Sequence, residues 1–114
     1  MNHKYLEEIT ERLLQAYPNL ATAYRLEFKS VFGAVGGYVN GQIFVSCGKF
    51  GVALRLPPEV LDELFQDEDV KPLRYFPKGH VKKEYAVLPK PMLDDVSRLR
   101  KFLSQSIAFV LSSS

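Results

Sequence analysis

Residues 28–55, FKSVFGAVGGYVNGQIFVSCGKFGVALR, decide the fold of this chain. Asn40-Gly41 lies between two runs of strand-forming residues. It predicts a β-hairpin strongly, because both central residues of a type I′ turn need a positive φ. A two-residue loop predicts three cross-strand pairs: Val39 with Gln42, Tyr38 with Ile43, and Gly37 with Phe44. In this register the Phe44 ring covers backbone that Gly37 leaves bare.

Glycines on either side of the hairpin shape the neighbouring strands. Gly48 and Gly51 bracket a second turn, so residues 52–56 are predicted to form the next strand. Gly33, Gly36 and Gly37 interrupt the strand before the hairpin, which predicts a bent strand. The alternative is a glycine-rich phosphate cradle, but the spacing fits neither GxGxxG nor GxxxxGK[ST]. The centre of the chain is therefore predicted to be a β-meander without a catalytic grouping.

Helices are predicted on both sides of this meander. Apolar residues follow the 3.6-residue period over residues 3–17, and Pro18 ends that helix. A second helix begins at Pro58, a residue that suits the first helical turn. From Met92 to Leu111 apolar residues recur at threes and fours, which predicts one long C-terminal helix.

Further strands are predicted at about 25–31, at 73–76 and at 81–88, with a turn at 77–79 between the last two. Helices stand at the chain ends and the strand connections are short. The expected fold is therefore α+β, with a bent antiparallel sheet of five to six strands, a meander plus a hairpin. An N-terminal, a middle and a long C-terminal helix are expected to pack on this sheet.

Size and composition indicate an ordinary globular domain. The 114 residues are predicted to form a single domain, residues 1–114, with 46% hydrophobic and 25% charged residues. A net charge of +2 is too small to indicate nucleic-acid binding by itself. Cys47 is the only cysteine, so a reducing compartment fits. The N-terminal region lacks the pattern of a signal peptide, and no apolar run reaches the roughly 18 residues of a membrane span. We expect a soluble, cytoplasmic protein without membrane partners.

Groups for catalysis are few. His3, His80 and Cys47 show no metal-ligand spacing, so no catalytic residue, cofactor or metal site is predicted. Cys47 is interpreted as an inert core residue of a strand. The alternative is an enzyme that uses Cys47 or His80. The two could meet across the sheet, but nothing in the sequence requires it.

Positive charge is concentrated in residues 71–90, where Glu84 is the one acidic residue. The candidate nucleic-acid contacts are Lys71, Arg74, Lys78, Lys82 and Lys83. Aromatic residues interleave with them, and a basic, aromatic hairpin can track phosphates and stack on bases. The other interpretation, which we favour, is a solvated hairpin whose aromatic residues face the core. The neighbouring acidic segment, residues 59–69, would repel nucleic acid unless it faces away, and it could attract the basic hairpin of a second copy.

Two aromatic residues lie near the edge of the apolar stripe of the last helix. Phe102 and Phe109 either widen the buried face or mark a contact with a partner. They are the candidate interface residues of the chain.

Residues 32–44, FGAVGGYVNGQIF, carry a resemblance to a known family. The structural motif consists of Phe32, Gly33, Gly36, Gly37, Tyr38, Asn40, Gly41 and Phe44. This pattern resembles the Phe-Gly-Gly, Tyr, Asp/Asn-Gly and Phe pattern of the TfoX N-terminal domain family, also called TfoX/Sxy. The similarity spans about residues 20–110. Ala34 stands where the family usually has the second glycine of Phe-Gly-Gly.

The resemblance implies a regulatory function. Family members with a second, C-terminal domain regulate natural competence as transcriptional co-activators, and 114 residues leave no room for that domain. The resemblance therefore implies a stand-alone regulatory module or a domain of a longer protein. We expect a non-enzymatic module that binds a protein partner, with the transcription machinery and a second copy of the chain as candidates. Direct nucleic-acid binding through residues 71–90 is the alternative.

Overall fold

The computed structural model describes residues 1–112. The helices are α1 (His3–Ala16), α2 (Leu20–Ala23), α3 (Pro58–Leu64), α4 (Lys90–Asp94) and α5 (Val96–Ser112). The strands are β1 (Leu26–Val31), β2 (Ala34–Val39), β3 (Gln42–Gly48), β4 (Gly51–Arg55), β5 (Lys71–Leu73) and β6 (Lys82–Leu88). They form one six-stranded sheet in the order β1-β2-β3-β4-β6-β5, in which all neighbours are antiparallel. The predicted α+β fold is confirmed.

The main core lies between one face of the sheet and the helices, and we call this face the helix face. Along β4, Val52 and Leu54 point towards the helices while Ala53 points the other way, because successive side chains of a strand alternate. Phe44, Leu54 and Leu103 are fully buried in this core. The apolar stripe of α5 packs on β3 and β4, as its period predicts.

The central hairpin confirms the predicted turn but corrects part of the register. Asn40 and Gly41 have φ values of 49° and 83°, and Val39–Gln42 and Tyr38–Ile43 pair as predicted. The predicted pairing of Gly37 with Phe44 is wrong, since Gly37 pairs with Val45. Phe44 is the extra residue of a β-bulge.

The bulge lets two consecutive residues of β3 join the same core. Phe44 and Val45 are both fully buried in the main cluster, which a regular strand would not allow. The bulged carbonyl of Phe44 accepts a hydrogen bond of 3.1 Å from Ser106 Oγ on α5. Gly37 is needed opposite, because a Cβ there would lie 2.6 Å from Val45 Cγ1.

The segment before the central hairpin forms a second hairpin, in which β1 pairs with β2. The prediction of one bent strand is therefore wrong at Gly33. Phe32 and Gly33 form a two-residue turn that closes the Val31–Ala34 pair. Their φ values of 49° and 81° resemble those of Asn40 and Gly41. Phenylalanine is uncommon at such a position, which is why the sequence pattern did not predict this turn.

Two other predicted elements differ in the structure. The long C-terminal helix is divided at Asp95, whose backbone is extended and whose Oδ1 accepts a hydrogen bond from Arg98 N at 3.1 Å. This side chain caps α5 although the apolar period continues through it. β5 covers residues 71–73 rather than 73–76. The turn at 77–79 is confirmed by a bond of 2.8 Å from Gly79 N to Phe76 O.

An aromatic surface on the sheet face without helices

The face of the sheet opposite the helices carries a second, smaller apolar cluster, and we call this face the open face. The cluster contains Ala53, Leu73 and Val87, with Phe50, Tyr75 and Tyr85 packed against them. None of these residues belongs to a described helix. The chain between β5 and β6, residues 74–81, covers this face instead. The position of this segment decides which side chains the open face exposes.

Tyr75 anchors the segment to the sheet. Its hydroxyl lies 3.0 Å from Oγ of Ser46, a fully buried residue of β3. Its ring lies between those of Phe32 and Phe50, with centroid distances of 5.3 and 5.6 Å. Burial raises the pKa of the Tyr75 hydroxyl, and the bond to Ser46 opposes part of that shift. Tyr75 is therefore a neutral structural group at ordinary pH.

Phe32 and Phe76 project from this anchored layer into solvent. Their exposed fractions are 62% and 57%, and their ring centroids are 6.2 Å apart. Lys82 Nζ lies 5.7 Å from the centroid of the Phe32 ring, within the range of a cation–π contact. We call Phe32, Phe50, Tyr75 and Phe76 together the aromatic surface.

Three adjacent grooves meet at the aromatic surface. Their volumes are about 370, 320 and 200 Å³, and Phe32 and Tyr75 line all three. Lys49 lines the first groove and Lys82 the other two, while Glu84 adds one carboxylate to the second. Phe32 is thus a ridge between preformed grooves that are lined in part by aromatic rings and that have lysines among their lining residues. Such a surface can accept apolar side chains that have acidic neighbours.

The five candidate nucleic-acid contacts differ in what their side chains contact. Lys71 Nζ donates a hydrogen bond of 2.7 Å to Glu68 O in the acidic segment, and Arg74 donates one of 3.1 Å to Gly79 O. Lys78 and Lys83 are exposed. Lys82 is the one of the five that lies over an aromatic ring. The favoured interpretation is a solvated hairpin whose aromatic residues face the core. It is correct for Tyr75, which faces the sheet, and wrong for Phe76, which is exposed.

The scan against protein-family models matches the TfoX N-terminal domain over residues 19–110. This range contains the whole sheet, the Phe32-Gly33 turn and the anchored segment 74–81. The chain belongs to the TfoX N-terminal domain family. Membership suggests a competence-related regulatory domain. No curated protein matches the chain significantly.

In this TfoX N-terminal domain the two candidate interface residues differ in exposure. Phe102 is 8% exposed and packs in the main core, and the guanidinium carbon of Arg98 lies 5.9 Å from its ring centroid. Of the two alternatives for Phe102, the structure therefore supports the wider buried face. Phe109 is partly buried, with the Arg55 guanidinium carbon 5.8 Å from its ring centroid.

The groups considered for catalysis lie apart. Cys47 is fully buried on the helix face, where desolvation raises the pKa of its thiol to about 12. His80 is exposed and lines a groove on the open face. The structure therefore does not bring Cys47 and His80 together. Among residues 1–112 no group of three or more His, Cys, Asp or Glu residues could hold a metal ion. None of the helices within the same residues is long and apolar enough to cross a membrane.

Sequence reasoning assigned Phe32 to a structural motif and did not single out Phe50 as a site residue. One signal was available for Phe32. An aromatic residue directly before glycine, between two strand-forming runs, occupies a turn position that usually takes Asn or Gly. The role of Tyr75 had no local signal, because its partner Ser46 is 29 positions away along the chain.

Proposed function

We propose that this TfoX N-terminal domain is a non-enzymatic regulatory module that acts by binding another protein through the aromatic surface. Family membership supports a competence-related regulatory role. The transcription machinery is our candidate source of the partner, and the cytoplasm is our candidate location, since buried Cys47 needs no oxidising compartment.

The observation that carries this proposal is the position of Phe32. Its backbone adopts a φ of 49°, which is a left-handed conformation. This conformation costs residues other than glycine roughly 1–2 kcal/mol. Its ring stays 62% exposed, so folding gains little from it. A large aromatic side chain that weakens the turn and remains in solvent is better explained by binding than by stability.

The surroundings of Phe32 define the chemistry of the partner. The grooves beside it exist before binding, and Phe32, Tyr75 and Phe76 line two of them, which suits an apolar anchor residue. Lys49 and Lys82 flank these grooves. The partner we propose is therefore a protein segment with an apolar or aromatic anchor next to acidic residues.

Site-specific photo-crosslinking in the native cell tests the proposal. A photoreactive phenylalanine analogue replaces Phe32 in one variant and Phe65 in a matched control. Phe65 suits this purpose because it is another exposed phenylalanine, at the end of α3. We expect a discrete protein adduct at position 32 that is absent at position 65 and is reduced by Phe76→Ser. Equal adducts at both positions, or no protein adduct at 32, would contradict the proposal.

Nucleic-acid binding is the second candidate, and the contact between Lys82 and the Phe32 ring favours it. Single-stranded nucleic acid is bound by basic grooves with exposed aromatic rings, on which bases stack. This candidate predicts an affinity for a labelled single-stranded oligonucleotide that falls steeply as salt rises. Lys82→Ala should weaken binding, whereas Lys101→Ala on α5 should not. A fluorescence-anisotropy titration without binding at low salt would remove this candidate.

A further inference from the structure

The two edges of the sheet are protected to different degrees. β5 is three residues long and contains Pro72, and short strands with proline resist pairing with other chains. β1 is six residues long, contains neither proline nor glycine, and pairs with β2 without a bulge. Edge strands of this regular kind can accept a further strand.

The backbone groups that β1 presents at its edge can be identified. Arg25 O accepts a hydrogen bond of 3.0 Å from Asn40 N, so Arg25 points its polar backbone groups towards β2. Hydrogen-bonding direction alternates along an antiparallel strand. Leu26, Phe28 and Ser30 therefore direct their N–H and C=O groups away from the sheet. Within residues 1–112 no other strand pairs with this edge.

We propose that β1 pairs antiparallel with β1 of a second copy of this chain, with the two-fold axis at Phe28. Charge complementarity selects this register. Glu27 and Lys29 stand one residue before and after Phe28, so each Glu27 faces the partner's Lys29, and the contact occurs twice. Since Phe28 forms the hydrogen-bonded pair, the charged residues form the closer, non-hydrogen-bonded pairs.

The side chains of β1 fit this arrangement on both faces. On the open face Glu27 Oε1 accepts from Arg25 Nε at 3.0 Å, and Lys29 Nζ lies 4.9 Å from the Tyr38 ring centroid. The partner's lysine would extend the Arg25–Glu27 pair into a row of alternating charge. On the helix face Leu26 and Phe28 are only partly buried, and pairing brings Phe28 beside its copy.

This dimer does not depend on the aromatic surface, and either proposal can fail without the other. The dimer is tested by sedimentation equilibrium of the wild-type chain and two charge reversals, Glu27→Lys and Lys29→Glu. Each single variant places like charges opposite each other twice in its homodimer, so we expect its Kd to rise about tenfold at low salt. Circular dichroism checks that both variants remain folded.

The decisive sample is an equimolar mixture of the two variants. In the mixed dimer both lysines of one chain face both glutamates of the other, so we expect dimers with about the wild-type Kd. The double variant Glu27→Lys/Lys29→Glu should also dimerise. A mixture no more dimeric than its components, or reversals without effect on Kd, would show that the register is wrong.

A backbone test uses Ser30, which is exposed and directs its N–H outwards. Ser30→Pro removes that donor and obstructs a neighbouring strand, while Ser30→Ala keeps it. We expect the proline variant to be monomeric and the alanine variant to dimerise like wild type. A wild-type chain that stays monomeric up to about 1 mM at low salt would overturn the proposal, because that limit leaves no stable association.

Discussion

The Tyr75 hydroxyl lies 3.0 Å from the Ser46 hydroxyl, and this bond joins segment 74–81 to the open face of the sheet. Ser46 is fully buried and lies between Val45 and Cys47, which both face the helices. The segment thus depends on one polar contact within a mainly apolar cluster. Because Tyr75 also packs against Phe32 and Phe50, this contact positions the aromatic surface.

Removing either hydroxyl should destabilise the domain. Ser46→Ala leaves the half-buried Tyr75 hydroxyl without its partner, and we expect a loss of about 1–2 kcal/mol in the free energy of unfolding. Tyr75→Phe should lower the free energy of unfolding by about 0.5–1.5 kcal/mol. The double variant should lose less than the sum of the two. Urea denaturation measures all three, and strictly additive losses would mean that the two hydroxyls are not coupled.

Phe32→Asn should remove the exposed ring without destabilising the turn. Asparagine accepts a left-handed backbone and creates an Asn-Gly turn, so the free energy of unfolding should stay within about 1 kcal/mol of wild type despite the lost ring contacts. Phe32→Ala is the matched control, since it loses the same ring but keeps the unfavourable conformation. We expect the alanine variant to melt below the asparagine variant in calorimetry. The reverse order would contradict the turn argument.

Gly37 and Val45 should behave as a coupled pair. In Gly37→Ala the new Cβ would lie 2.6 Å from Val45 Cγ1, and we expect a loss of about 1–3 kcal/mol from overpacking. Val45→Ala also destabilises the domain, because it opens a cavity in the core. In the double variant the removed methyl groups make room for the new one. Urea denaturation should therefore show a smaller loss in the free energy of unfolding than the sum of the two single losses. An equal or larger loss would mean that the new Cβ does not clash with Val45.

Stability should fall above about pH 9 in part through Cys47. Desolvation raises the pKa of its thiol from 9.0 to about 12 in the folded protein. Between these values the unfolded chain has lost the thiol proton while the folded chain retains it. This group therefore lowers the free energy of unfolding by up to about 1.4 kcal/mol per pH unit as pH rises.

Cys47→Ala is the control for this pH effect. Urea denaturation at pH 8, 9, 10 and 11 should give a shallower decline for the alanine variant than for wild type. Some decline should remain, because burial also raises the pKa values of Tyr75 and Tyr85. Identical slopes for both proteins would show that Cys47 is not shielded from water in the folded state.

Much of the fold was predictable where a few neighbouring residues decide the backbone. Asn40-Gly41 predicted its turn correctly, because the steric preference of those two residues selects a positive φ without help from the rest of the chain. The stripe of α5 was predictable because its apolar period reflects the single sheet face on which it packs. The interruption at Asp95 was missed because the same period runs through it.

Tertiary structure alone decided the features that involve distant residues. At the bulge, the Phe44 carbonyl accepts a hydrogen bond from the Ser106 hydroxyl, 62 positions away, and Gly37 leaves the space that Val45 fills. The aromatic surface depends on the bond between Tyr75 and Ser46, which joins β3 to the segment between β5 and β6, two strands that do not neighbour β3 in the sheet. The sequence by itself therefore determined the Asn40-Gly41 turn, the helix stripes and the family. Packing determined which aromatic rings reach solvent, because that depends on contacts no local pattern records.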